Sequence, residues 1–227
     1  MPFLILARHG RTTANAAGIL AGRAPGIGLD AYGKDQAQEA SERLTGVEIA
    51  RVVSSPMQRC LETADLLVPG RSVDIDERLT ECDYGDWTGG TLAELAKEPL
   101  WRTVQRQPSA ATFPAGESMT QMSTRAIDVA RSLSSEIAEA HGEHAVWLAV
   151  SHGDVIKAIL ADALGMHLDS FQRIGVNPAS LSLVHYGKHR ASVLAMNTIA
   201  GALPIPQAPS DDAAVGGTPE ATLGSQA

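Results

Sequence analysis

The chain has 227 residues, 44% of them hydrophobic and 19% charged, which is enough for one α/β domain with a well-buried core. Its net charge of −8 argues against nucleic acid or an anionic membrane as the main partner, because both require a positive face, and its apolar runs are too short to span a bilayer. Two cysteines, Cys60 and Cys82, are too few for a disulfide framework or a zinc site and are expected to be reduced thiols.

Phe3 to Arg8 opens the chain as a short apolar run. It lacks a basic leader and a small-residue cleavage site, so it reads as a buried strand rather than a signal peptide, and a cytoplasmic protein is expected. Helical spacing follows over Gly33 to Leu44. Arg51 to Ser54 reads as a second buried strand, and Pro56 is placed to start a helix running to Leu67, with Arg59 in its first turn. Ser72 to Ile75 is a further strand candidate. A long amphipathic helix spans Ser118 to Ala140, its apolar face carrying Met119, Met122, Ala126, Val129, Ala130, Leu133 and Ile137. Ala145 to Val150 is another buried strand and Asp154 to Leu164 another helix. Ser180 to Tyr186 and Ala191 to Met196 are strands joined as a hairpin through Gly187-Lys188-His189-Arg190. Strand and helix alternate, so the expected fold is a three-layer α/β/α sandwich around a mostly parallel six-stranded sheet. The domain is expected over about residues 1–200. Residues 201–227, rich in Pro, Ala and Gly with Asp211-Asp212, cannot bury enough surface to offset ordering entropy and are expected to form a mobile acidic tail.

Two histidines fall where strands end: Arg8-His9-Gly10 after the first, Ser151-His152-Gly153 after the one starting at Ala145. Ligands of open α/β sheets bind beyond the carboxyl ends of parallel strands, and Arg59 opens a helix at the same edge. A phosphate monoester dianion needs several fixed donors and an in-line nucleophile. Arg8, Arg59 and His152 supply donors, and His9 remains as the nucleophile. Neutral imidazole attacks without prior deprotonation if its other nitrogen is held by a carbonyl, for which Gly10 is placed. A departing alkoxide also needs a proton, and Glu81, Asp83 and Asp86 are all available in the segment Leu79 to Gly89; spacing does not choose among them. The pairs His141/His144 and His185/His189 lack grouped carboxylate or cysteine partners, so no metal is expected. Gly89-Gly90 is not followed by Gly-Lys-Ser/Thr, and no cofactor is expected.

The motifs Arg8-His9-Gly10-x-Thr12-x-x-Asn15, Ser54-Ser55-Pro56-x-x-Arg59-Cys60-x-x-Thr63-Ala64, Leu79-x-Glu81-x-x-Tyr84-Gly85-x-Trp87-x-Gly89 and Ser151-His152-Gly153 occur in this order. In this the chain resembles the histidine phosphatase superfamily, phosphoglycerate-mutase-like branch. The resemblance implies a phosphohistidine on His9, a phosphate pocket of Arg8, Arg59 and His152, and Glu81 as the proton donor. It also implies Asn15 as a phosphate ligand and places Ala21-Gly22-Arg23 at the pocket rim. Arg11 departs from the family's acidic or amide residue and would add positive charge near the mouth. The segment between Glu81 and Ser151 resembles the compact arrangement of the family's phosphatases. A phosphomonoester hydrolase acting on a small phosphorylated metabolite is therefore expected. The alternatives are a cofactor-dependent phosphomutase of the phosphoglycerate mutase type and a non-catalytic phosphate-binding domain. Edge-strand pairing into a homodimer is left open.

Overall fold

The computed structural model describes residues 2–201 and 215–216. Its strands are β1 (Phe3–Arg8), β2 (Ile49–Ser54), β3 (Asp74–Ile75), β4 (Val146–Ser151), β5 (Leu181–Tyr186) and β6 (Ala191–Thr198), forming one sheet in the order β3-β2-β4-β1-β5-β6. Neighbours from β3 to β1 run parallel, whereas β5 pairs antiparallel with both β1 and β6. The helices are α1 (Thr13–Ala16), α2 (Ala31–Glu42), α3 (Gln58–Leu67), α4 (Leu92–Leu95), α5 (Pro99–Arg106), α6 (Met119–His141) and α7 (Gly153–Ala163). The six-stranded, mostly parallel sheet anticipated from the strand and helix alternation is present, and the β5–β6 hairpin turns through Gly187 to Arg190.

Alternation along the strands divides the core into two layers, because successive side chains point to opposite faces. Leu4 and Leu6 of β1, with Trp147 and Ala149 of β4, face α6 and α7. Ile5 and Ala7, with Leu148 and Val150, face the side packed by Ala40 and Leu44 and by Cys60, Ala64 and Leu67 of α3. The apolar stripe of α6 is buried as its spacing requires. Ser118 caps that helix in a reciprocal box with Gln121, which satisfies amides that the first turn would leave unpaired.

The site's location follows from the connections. β1 leads toward α2 on one face, and β4 leads into α7 on the other, yet the two strands are neighbours with Arg8 opposite Ser151. Neighbouring parallel strands whose chains depart to opposite faces leave a crevice at their carboxyl ends, the topological switch point where α/β sheets bind ligands. His9 and His152 are the first residues into it.

Local differences from the sequence expectation have physical causes. The helix after β2 starts at Gln58 with Met57 as its N-cap, not at Pro56, because Ser55 is held in the strand-to-helix turn by a 2.7 Å bond to His152. β3 shortens to Asp74–Ile75, both exposed at the sheet edge. α5, begun by Pro99, buries Trp101 and Val104 beside Trp87 and Phe113, and Trp87 is stacked on Trp101 at 6.1 Å. Of the expected tail, residues 202–214 and 217–227 lie outside the described residues; Val215 and Gly216 form a turn, with Val215 buried.

A close approach of two glycines seats the loop after β1 on α2. A Cβ on Gly33 would lie 2.0 Å from the Arg11 carbonyl oxygen, and one on Gly10 would lie 2.3 Å from the Gly33 oxygen. Alanine is the better helix former by about 1 kcal/mol, but the clash is with backbone and decides the sign. Gly33→Ala should therefore destabilise the fold by about 2–3 kcal/mol through overpacking. The expected readout is a melting temperature lower by about 5–10 °C in circular dichroism. An unchanged melting temperature would mean that the loop carrying His9 yields without cost.

Candidate active site

The strand-end crevice collects Arg8, His9, Arg59, Glu81 and His152, none more than 3% exposed. His9 Nδ1 lies 2.8 Å from the Gly10 carbonyl oxygen. A carbonyl only accepts, so Nδ1 carries the proton and Nε2 keeps its lone pair. Burial, with Arg59 and Arg8 nearby, holds the His9 pKa well below its ordinary value, which keeps the ring neutral and nucleophilic. The loop is tied down behind it: Gly10 N–H donates to Thr63 Oγ1 at 3.0 Å, and that hydroxyl donates to the Arg59 carbonyl at 2.6 Å.

His152 has the opposite tautomer. Arg59 Nη2 lies 3.2 Å from His152 Nδ1, and a guanidinium only donates. Nδ1 is therefore the acceptor, and Nε2–H donates to Ser55 Oγ. Burial and then Arg59 hold this imidazole well below its ordinary pKa too. A phosphate dianion entering beside it would offset the positive neighbours and favour a protonated, donating His152. The two rings stand edge to face at 5.3 Å between centroids.

The arginines are anchored from behind. Arg59 Nη2 donates to the Gly22 carbonyl at 2.7 Å, while its buried Nη1 has no hydrogen-bond partner. A buried donor left unsatisfied is costly, and an anion oxygen would satisfy it. Arg8 Nη1 donates to the Val176 carbonyl at 2.6 Å, and burial pushes its pKa down to about 10. Gly22 has a φ of +49°, and a Cβ there would meet Thr88 Oγ1 at 2.8 Å, so the turn that presents its carbonyl suits glycine.

Three acids were open from spacing, and their surroundings separate them. Asp86 is exposed. Asp83 is partly exposed, with Oδ1 accepting Gly85 N–H. Glu81 is buried, with Oε1 accepting the Cys82 amide at 2.9 Å and Oε2 lying 3.9 Å from His152 Nδ1. Burial, reinforced by Asp154, pushes its pKa up to about 7, where a carboxyl can give and take a proton near neutrality.

The remaining residues named from sequence divide. Asn15 lines the cavity, but its Oδ1 takes the Thr12 amide at 3.0 Å and closes the capping box of α1, so only its amide NH2 could serve a phosphate. Gly22 lines the cavity as well. Arg11 is not among the lining residues. Its Nε donates to Asp30 at 2.8 Å and its guanidinium lies 4.5 Å over the Tyr32 ring. Cys60 sits buried 3.4 Å from His152 Nε2, its thiol pushed up to about 12 by burial, and Cys82 is likewise buried and free.

Sequence reasoning missed several supports. Arg125 of α6 donates to the carbonyls of Arg78, Thr80 and Glu81, and pairs with Glu117 at 2.6 Å, clamping the loop that carries Glu81. Arg23, which the resemblance places at the rim, also donates to the Glu81 carbonyl, at 2.8 Å. Asp154, fully buried, accepts the Tyr84 hydroxyl at 2.9 Å and lies 3.4 Å from buried Lys157. A helical arginine that caps carbonyls looks in sequence like a solvated one. Asp154 did carry a signal, standing two residues after His152 at the start of a mostly apolar helix.

A switch-point crevice that presents a neutral, carbonyl-held imidazole, two buried guanidiniums and a carboxyl poised near neutrality has the parts of a phosphoryl-transfer enzyme with a histidine nucleophile. Residues 4–199 match the histidine phosphatase superfamily (branch 1), and the chain belongs to that family. It is 32% identical over 177 residues to the glucosyl-3-phosphoglycerate phosphatase of Mycolicibacterium vanbaalenii, a match covering 76% of this chain and 78% of that one. It is also 32% identical over 186 residues to the probable phosphoglycerate mutase GpmB of Proteus mirabilis, covering 80% and 83%. The solved structure of Bacillus stearothermophilus YhfR superposes with a TM-score of 0.79 at 27% identity, over 88% of this chain and 98% of that one. No helix among the described residues is long and apolar enough to cross a membrane.

Proposed function

We propose that the protein hydrolyses a small phosphomonoester through a phosphohistidine on His9, with Glu81 as proton donor. The observation that carries this reading is the 2.8 Å contact between His9 Nδ1 and the Gly10 carbonyl, which leaves Nε2 as a neutral nucleophile in a crevice lined by Arg59 and Glu81. Arg8, Arg59 and His152 hold the phosphoryl oxygens. Nε2 attacks phosphorus, the bond from phosphorus to the ester oxygen breaks, and that oxygen takes the Glu81 proton as the alcohol leaves. Glu81, now a carboxylate, takes a proton from water; the water oxygen bonds to phosphorus and the phosphorus–nitrogen bond breaks. Inorganic phosphate departs, and His9 and Glu81 are back in their starting forms.

The relatives include both phosphatases and mutases, and the two activities part at the phosphoenzyme. A mutase must exclude water and return the group to a second hydroxyl. The segment between Glu81 and β4 favours hydrolysis, because only Tyr84 and Leu92 of it are among the residues lining the His9 cavity, whereas Leu95, Trp101 and Val104 are buried in the core with Trp87 and Phe113.

The test is a panel of phosphomonoesters, including phosphoglycerate, with free phosphate and isomerised product followed together. Phosphate release without isomerisation is expected. Isomerisation faster than release would replace hydrolysis with mutase chemistry, and inactivity in both would favour a phosphate-binding domain.

A further inference from the structure

The catalytic groups are closed off from solvent, and part of what closes them is the chain's own Val215–Gly216. Both residues line the cavity together with His9, Asn15, Leu20, Arg59, Glu81 and Tyr84. Val215 is 2% exposed and belongs to the main core cluster. Gly216 is held through its backbone at both ends: its N–H donates to Asp154 Oδ2 at 3.1 Å, and its carbonyl accepts from Arg8 Nη2 at 3.2 Å. The space left in the cavity is about 30 Å³, roughly the room of two water molecules. Within it the Gly216 carbonyl already takes one of the Arg8 donors.

We propose that Val215–Gly216 is a self-inhibitory strap that fills the substrate's place and must leave before a phosphomonoester can enter. The proposal rests on the reading of the His9 crevice as the phosphate site. The contact with Arg8 distinguishes a plug from a lid. A lid would lie outside the ligand and leave the guanidinium to it, whereas the Gly216 carbonyl takes a donor that a phosphate oxygen would use. Asp154 supplies the other half of the recognition. A carboxylate beside the phosphate pocket would repel a dianion, but it is well suited to a backbone N–H, so Arg8 and Asp154 together read the two backbone polar groups of one residue.

The fit is specific to these residues. Gly216 has a φ of +78°, and a Cβ there would meet Leu20 Cδ1 at 3.1 Å. A β-branched residue is strongly disfavoured in that conformation. Val215 contributes the apolar burial.

Steady-state kinetics of the full chain and of its Gly216→Val and Val215→Ser variants, with p-nitrophenyl phosphate and phosphoserine, test the strap. Only the undocked fraction can bind substrate, so a strap docked in about 90% of molecules raises the apparent KM about tenfold. Undocking should lower KM toward that limit and leave kcat alone, since the strap is absent from the enzyme–substrate complex. A synthetic peptide of residues Asp212 to Pro219 should then inhibit Gly216→Val competitively, and the same peptide carrying Gly216→Val should not. Affinity for inorganic phosphate, read by calorimetry, should rise in both variants whether or not either ester is turned over.

Equal KM and equal phosphate affinity in all three chains, with turnover intact, would overturn the strap and leave the proposed function standing. A fall in kcat on undocking would overturn it too, making the segment a wall that substrate needs. No turnover and no phosphate binding in any chain would overturn the proposed function and the strap with it.

Discussion

His9→Ala should lower kcat/KM for every phosphomonoester by about 10⁴-fold or more, the scale on which removal of a nucleophile acts when its partners work as a unit with it. The fold should survive. Among the described residues the His9 ring bonds only to the neighbouring Gly10 carbonyl and lies edge-on to His152, so its loss opens a small polar space and severs no link between described elements. The decisive measurement is mass spectrometry of enzyme quenched during turnover. Wild type should carry a phosphoryl adduct on His9, and His9→Ala should carry none. An adduct on His152 would exchange the roles of the two histidines. Their tautomers argue against that outcome, because His152 Nδ1 accepts from Arg59 and its Nε2 is committed to Ser55, which leaves no nitrogen lone pair to attack.

Glu81→Gln should have the second largest effect, and the effect should depend on the leaving group. Glutamine can still accept the Cys82 amide that Glu81 Oε1 now takes, but it has no proton to give. Alkyl phosphates, whose leaving oxygen must be protonated as it departs, should lose about 10²–10³-fold in kcat/KM, whereas p-nitrophenyl phosphate should lose less than about tenfold. Equal losses for both esters would assign the acid elsewhere.

The pH dependence follows from the same carboxyl. The first step needs Glu81 protonated, and its pKa is raised to about 7 by burial and by Asp154, so kcat/KM for an alkyl ester should fall as pH rises through that value. His9 is held well below its ordinary pKa and stays neutral across this range, so no loss from His9 protonation should appear between pH 6 and 7. The limb near neutrality should be absent for p-nitrophenyl phosphate in Glu81→Gln. A limb that survives the substitution would belong to another group.

Most of the parts could be read in the chain, because each is written locally. Short apolar runs ending in Arg8-His9-Gly10 and Ser151-His152-Gly153 say that imidazoles sit at strand ends, and the stripe of α6 follows from helical periodicity. The carbonyl of Gly10 could be anticipated because it is the next residue along. The start of α3 was misplaced because its cause is distant: Ser55 is held by His152, and nothing near Pro56 records that.

Arg8 and Arg11 show where local reading stops. They are three residues apart and share a charge, yet Arg8 is buried at the crevice while Arg11 is drawn off by Asp30 and Tyr32. The same holds for Glu81, Asp83 and Asp86, equal candidates by spacing. Burial beside His152 and the nearby charge of Asp154 push the Glu81 carboxyl up to about 7, and neither is written in the spacing.

By itself, then, the sequence determined the strands and the helices α2, α3, α6 and α7, that His9 and His152 follow strand ends, and that phosphate chemistry with a histidine nucleophile is within reach, because these depend on neighbours within a turn or a strand. The tertiary structure decided that β1 and β4 are adjacent and leave to opposite faces, which imidazole keeps its lone pair for attack, which acid holds its proton, and that Val215–Gly216 lies in the cavity. Those outcomes depend on groups brought together from far along the chain, where burial and charge act through space.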